Sequence, residues 1–231
     1  MTSTELKEAR RLAGWTQARL AERLEVTQAY VSLLEKGRRR VPVALARHVA
    51  RLLSLPPTSL PFPGLEEVSK PTTNEWVERS LARLGYPGYA HRRRPTAGRN
   101  PMEVLLRALN LDDLEPRLAE ALPWLLLGFG VADPASLVDR ARSLNLQNRL
   151  GFVAALAQDV AEKGGAYARR MDKLRRLQES LEPYRLARED TLGQSRTSER
   201  MRDWIRGKRS GAATHWNILT DLKAEHLSYG P

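Results

Sequence analysis

Two kinds of residue in this sequence have the types and spacing that chemistry needs: the four histidines, and two Thr-Gln pairs at Thr16-Gln17 and Thr27-Gln28. The histidines, His48, His91, His215 and His226, form no HExxH motif, which excludes a zinc peptidase of that type. His215 and His226 are eleven residues apart; a metal pair needs closer spacing and carboxylates on the same face. They are expected to be ordinary histidines of one helix. The absence of cysteine removes disulfides, thiolate metal sites and cysteine nucleophiles together. There is no Gly-x-Ser-x-Gly elbow and no glycine-rich phosphate loop with its lysine. No catalytic residue, no metal site and no cofactor is therefore expected. The glutamines offer something different. A carboxamide presents a donor and an acceptor together, the pattern that matches adenine N6 and N7. Lys36, Arg38, Arg39 and Arg40 follow Gln28 closely, and such cations suit phosphate.

The elements that position these residues read as helices. Leu6, Ala9 and Leu12 set a helix at 4–13, with all three expected to face inward. Leu20, Ala21 and Leu24 share one face of a second, at 17–24. Val31 and Leu34 lie on the inner face of a third, from 28 to about 36, which Gly37 stops. Thr16 and Thr27 stand where N-caps belong. The small Ala21 lets the two helices cross closely, with Val26 plugging the turn. Pro42 opens a fourth helix, 42–53.

The stretch "WTQARLAERLEVTQAYVSLLEKGRR" resembles the lambdoid phage repressor family, also called the xenobiotic-response-element family of bacterial regulators. Thr16-Gln17, Leu20-Ala21, Val26, Thr27-Gln28, Val31-Ser32, Leu34-Glu35 and Gly37 carry the resemblance, which spans roughly residues 4–60. It implies a five-helix headpiece whose helix from Gln28 lies in the DNA major groove. Base readers would be Gln28, Ala29 (small enough to meet a thymine methyl), Ser32, Tyr30 and Leu33. Phosphate contacts would come from Gln17, Thr16, Thr27, Lys36, Arg38, Arg39 and Arg40, with Gln17 also bracing Gln28. Arg10 and Glu35 would form a structural ion pair. Glu25 departs from the family, which often has glycine there. A left-handed turn at that position would cost on the order of 1 kcal/mol.

Bulk composition agrees with a polyanionic partner. The 231 residues carry a formal charge of +11, from 38 basic and 27 acidic side chains. The start lacks the apolar core of a signal peptide, and the longest apolar run, 121–131, is too short to cross a bilayer. The expected setting is the cytoplasm, on the nucleoid.

After the headpiece, 56–74 holds five prolines. Residues 61–100 read as linker and loops, with a short helix at 75–84 capped by Asn74. Whether 75–100 belongs to linker or core stays open. Helices are then expected at 101–110, 114–128, 134–144, 146–163, 166–189, 197–207 and 215–226. Pro123 implies a kink or two shorter helices. "PWLLLGFG" (123–130) and "NRLGFVAALA" (148–157) supply the core. Met171, Leu174, Leu177, Leu181 and Tyr184 form a seam for another helix, of the same chain or a second copy. Trp204 and Trp216 are core anchors or partner hot spots. "GYPGYAHRRRP" (85–95) reads as a partner-binding or minor-groove-reaching loop.

The expected fold is all-α, with the helix-turn-helix domain at 1–60 and a larger helical dimerisation or partner-binding domain at 101–231. The expected function is a DNA-binding transcriptional regulator, a repressor acting on double-stranded DNA as a homodimer. The alternative is an antitoxin that neutralises a protein toxin through its C-terminal domain and represses its own operon. "YPGYAHRRRP", "LNLQNRLGFVAALA" and "HWNILTDLKAEHL" resemble stretches of such autoregulators.

Overall fold

The computed structural model describes residues 1–92, 98–193 and 198–227. The side chains of 90–97, which include the basic cluster of the expected partner-binding or minor-groove loop, lie outside the described residues. The chain divides into two compact units. One comprises Met1–Phe62 with Arg94–Asn100, the other Pro63–Arg93 with Pro101–Pro231.

The first unit is the headpiece. It holds α1 (Ser3–Leu12), α2 (Gln17–Arg23), α3 (Gln28–Glu35) and α4 (Val43–Leu52), with a 3₁₀ turn at Pro57–Ser59 as the fifth helical element. Leu6, Leu20, Ala21, Leu24, Val31, Leu34 and Val49 form its core; Leu12, expected inward with Leu6 and Ala9, stands at the end of α1 and is 88% exposed. Thr2 caps α1 in a reciprocal capping box with Glu5. Asn100 Nδ2 donates to the carbonyls of Leu60 (3.0 Å) and Pro61 (3.3 Å), holding the headpiece's last turn.

The second unit contains α5 (Leu65–Val68), α6 (Asn74–Leu84), α7 (Pro101–Leu109), α8 (Pro116–Phe129), α9 (Pro134–Ser143), α10 (Gln147–Glu162), α11 (Met171–Leu181), α12 (Glu199–Arg206) and α13 (Gly211–His215). A two-residue parallel pair joins β1 (Asp190–Thr191) to β2 (Ile218–Leu219). α10 lies at the centre, against α7, α8, α9, α11 and α13. Every residue from Gln147 to Ala157 is buried, apolar and polar alike, the pattern of a helix enclosed on all sides. Both expected core segments are there: Trp124–Leu127 and Leu150–Ala157 are buried throughout.

α6 packs on α7 and α8, with Val77 and Leu81 fully buried. Its cap is Thr73, whose hydroxyl accepts from the Trp76 N–H. Asn74, expected as the cap, reaches away instead. Its Nδ2 donates to the Asp113 carbonyl (2.9 Å), and its Oδ1 accepts from the Glu115 N–H (3.2 Å). Arg107 ties the preceding loop to α7 through Thr72 Oγ1 (2.7 Å) and the Pro71 carbonyl (3.0 Å). α8 runs as one helix with Pro123 inside it.

Two expected helices are corrected. The 166–189 helix is broken into a 3₁₀ segment (Gly165–Arg170), α11, and a 3₁₀ turn (Glu182–Tyr184). Pro183 has no N–H for the next helical bond, so α11 cannot continue. Its seam is covered within the chain: Leu174, Leu177 and Leu181 are buried against α10. The 215–226 helix is absent. α13 begins earlier, capped by Ser210, and ends at His215. Asn217 then takes a left-handed conformation (φ 51°) and the chain enters β2. His215 and His226 therefore share no helix face.

Candidate nucleic-acid interface

The geometry of α2 and α3 follows from their caps and their small contact residue. Thr16 Oγ1 accepts from the Arg19 N–H (3.1 Å) and Thr27 Oγ1 from the Tyr30 N–H (3.2 Å). Each bond satisfies one of the amides left open at a helix start. Ala21 is buried where the helices meet, and its carbonyl accepts the Val26 N–H across the turn (3.0 Å). The turn needs a left-handed residue, and Glu25 supplies it with φ 56°. Gly37, also left-handed at φ 69°, ends α3.

α3 is divided lengthwise. Val31 and Leu34 are fully buried and Glu35 nearly so. Gln28 and Ala29 are exposed at its start, while Tyr30, Ser32 and Leu33 are half-buried. Lys36, Arg38, Arg39 and Arg40 are all exposed beyond its end. Arg39 lies over the Tyr30 ring, 5.7 Å from its centroid.

Beneath this face lies an ion pair. Arg10 Nε and Nη2 donate to Glu35 Oε1 (2.6 Å) and Oε2 (3.0 Å), and Arg10 Nη1 donates to the Trp15 carbonyl (2.6 Å). Gln17 Nε2 donates to Glu35 Oε2 (2.8 Å). Gln17 thus braces against Glu35 and not against Gln28. Burial pushes the Glu35 carboxyl up, but hydrogen bonds from Arg10 and Gln17 and the Arg10 charge outweigh burial and hold it below its ordinary value.

One residue of this surface went unread in the sequence. Arg19, exposed on the first turn of α2, sits over the Trp15 ring at 5.0 Å from its centroid. The 15/19 spacing of an aromatic and an arginine was its only signal. Among the described residues no group of three or more His, Asp or Glu side chains is arranged to hold a metal ion. No helix among them is long and apolar enough to cross a membrane.

Two short helices crossing at a tight turn, with one outward polar face and cations at both ends, define a helix-turn-helix DNA-binding domain. Residues 6–60 match the family model described as helix-turn-helix, of the lambda repressor-like, xenobiotic-response-element type. That match, which covers about a quarter of the chain, supports a DNA-binding module of the kind found in transcription regulators. No curated protein and no solved structure matches the chain.

Proposed function

We propose that the protein is a transcriptional repressor that reads an operator with α3 and binds it as a homodimer. The observation that carries this reading is the division of α3, which leaves Gln28 and Ala29 open to a groove while Val31, Leu34 and Glu35 anchor the helix from below. Gln28 bonds an adenine edge, Ala29 meets a thymine methyl, and Ser32 reads one turn further on. Tyr30 and Leu33 line the same groove. Thr16, Gln17, Thr27, Lys36, Arg38, Arg39 and Arg40 hold phosphates, supplying most of the affinity by counterion release. A single headpiece makes few base contacts. The helical unit that includes 101–231 accordingly assembles the dimer, placing two headpieces on half-sites about 34 Å apart. The protein acts in the cytoplasm, on the nucleoid.

Selection of DNA from a random pool by the purified protein tests this reading. The expected result is a palindromic motif with half-sites one turn apart. Gln28→Ala then costs about 1–3 kcal/mol at that motif and little on random DNA. A pool without enrichment, or equal losses on both DNAs, defeats it.

α12 favours a second reading. Met201 and Trp204, one turn apart, are 48% and 50% exposed, and paired large apolar side chains of this kind mark protein interfaces. The protein is then an antitoxin that holds a toxin through its larger unit and represses its own operon through the headpiece. Co-purification with the product of an adjacent gene, lost in Trp204→Ala, distinguishes this from the first.

A further inference from the structure

α12 is divided lengthwise, as α3 is. Ile205 is buried, and Arg206 ties one side of the helix to the body. Its guanidinium pairs with Glu189 (2.9 Å), with Asp203 (2.7 Å) and with Glu199 (3.4 Å). Both acids of α12 are spent in this way, and residues 199, 203 and 206 share that side by helical spacing. The other side carries Arg200, Met201 and Trp204, with Lys208 one turn further on, all exposed. Lys208 Nζ stands over the Trp204 ring, 3.8 Å from its centroid. Among the described residues no carboxylate is paired with Arg200 or Lys208. The pocket beside the ring adds Lys223 and Asp221, of opposite sign, and Arg209, which is held by Glu189 (3.5 Å). The surplus on this face is therefore positive, and it brackets two large apolar side chains.

We propose that this face of α12 docks an acidic segment of a partner protein. An apolar side chain of the partner packs on Met201 and Trp204, and its carboxylates pair with Arg200 and Lys208, one turn to either side of the ring. The inference rests on the second reading above, that α12 is a protein interface, and adds the chemistry of the partner. Charge decides it. A neutral surface closing on Trp204 strips water from Arg200 and Lys208 and returns nothing, which is costly. An acidic one replaces that water with ion pairs and excludes basic competitors. Nucleic acid is also anionic, but stacking needs an open ring face, and Lys208 lies on one face of Trp204. Met201 gives a base no plane to stack on, whereas its flexible thioether moulds to apolar side chains.

The test selects a random peptide library on the full-length protein, then measures the best synthetic peptide by calorimetry. Oligo(dT) serves as the nucleic-acid control. Enriched peptides are expected to carry Asp or Glu on both sides of an apolar residue. Trp204→Ala and Lys208→Glu are each expected to weaken the peptide about tenfold or more. Exchanging the peptide's matching acid for lysine is expected to restore binding to Lys208→Glu. Both substituted side chains are exposed, so an unchanged melting temperature shows that the variants keep the fold. Trp204-dependent enrichment of neutral or basic peptides overturns the inference while leaving α12 a protein interface. No enrichment, or binding that Trp204→Ala leaves intact, overturns it together with the second reading. Oligo(dT) binding as tight as the peptide's, and lost in Trp204→Ala, overturns it in favour of a nucleic-acid surface.

Discussion

Arg10 in the headpiece and Arg149 in the larger unit are used in the same way, with different consequences. Arg10 makes a two-pronged pair with Glu35 and gives its third nitrogen to the Trp15 carbonyl. Arg149 pairs through Nε and Nη2 with Asp190 Oδ2 (2.8 Å) and Oδ1 (2.9 Å), while Nη1 donates to the carbonyls of Leu109 (2.6 Å) and Leu111 (3.1 Å). Both exploit the planar fork of arginine, which Lys cannot reproduce. The difference lies in what each pair supports. Glu35 is on α3 and also holds Gln17, so the headpiece pair connects the core to the outward face of both crossing helices. Asp190 is in a two-residue strand, so the larger unit's pair fastens an irregular segment to α10 and to the end of α7. In the headpiece, buried charge serves a surface; in the larger unit it serves the packing itself.

Removing the carboxylates separates the two roles. Glu35→Ala leaves a buried guanidinium unpaired and is expected to destabilise the headpiece by about 3–5 kcal/mol, read as faster amide exchange in α1–α3. DNA binding should fall with it. Asp190 is more exposed, its side chain at 17% against 2% for Glu35. Asp190→Ala is therefore expected to cost less, about 1.5–3 kcal/mol, seen in the amides of α10. A larger cost for Asp190→Ala than for Glu35→Ala would mean that the partly exposed pair, and not the buried one, carries more of the stability.

Acid should weaken the headpiece through the same residue. The Glu35 carboxyl has a lowered value in the folded state. Its contribution is thus fully present above the ordinary carboxylate value and is lost as pH falls through the lowered folded value. Glu35→Gln is expected to flatten the acid limb of headpiece stability measured by amide exchange between pH 3 and 6 (about the range a carboxylate spans). An unchanged limb would assign it to other groups. The smallest effect concerns the turn. Glu25→Gly relieves a left-handed conformation and should stabilise the headpiece by up to about 1 kcal/mol, less the entropy that glycine loses on folding. A measurable loss of stability would mean that Glu25 makes a contact its exposure does not suggest.

The sequence was most informative where structure is local. Caps, periodicity and glycine stops placed α2, α3, α7 and α9 within two residues of their ends. The same signals exposed the outward side of α3. The positive φ at Glu25 was legible as a departure from a family that often has glycine there. The failures share a cause. The apolar spacing of 171–184 suits one long helix, and only the missing N–H of Pro183 argues otherwise. β1 and β2 are two residues each and too short to show a period of two. Thr73 and Asn74 are both good caps, and the choice between them was made by Asp113 and Glu115, some forty residues away.

The composition and pattern of this chain were enough to determine a helix-turn-helix headpiece, its charged flanks and an otherwise helical body, because backbone amides and apolar spacing act over a few residues. Tertiary structure alone decided which groups lie beneath those surfaces. It set Gln17 on Glu35 and buried Trp216 (1% exposed) while leaving Trp204 half in solvent. It pressed the Trp216 ring against Gly151, where an added Cβ would overlap it. It also left the buried side-chain oxygen of Gln147 without a hydrogen-bond partner. Such outcomes depend on residues distant in sequence meeting at close-packed density, and no local pattern encodes that meeting.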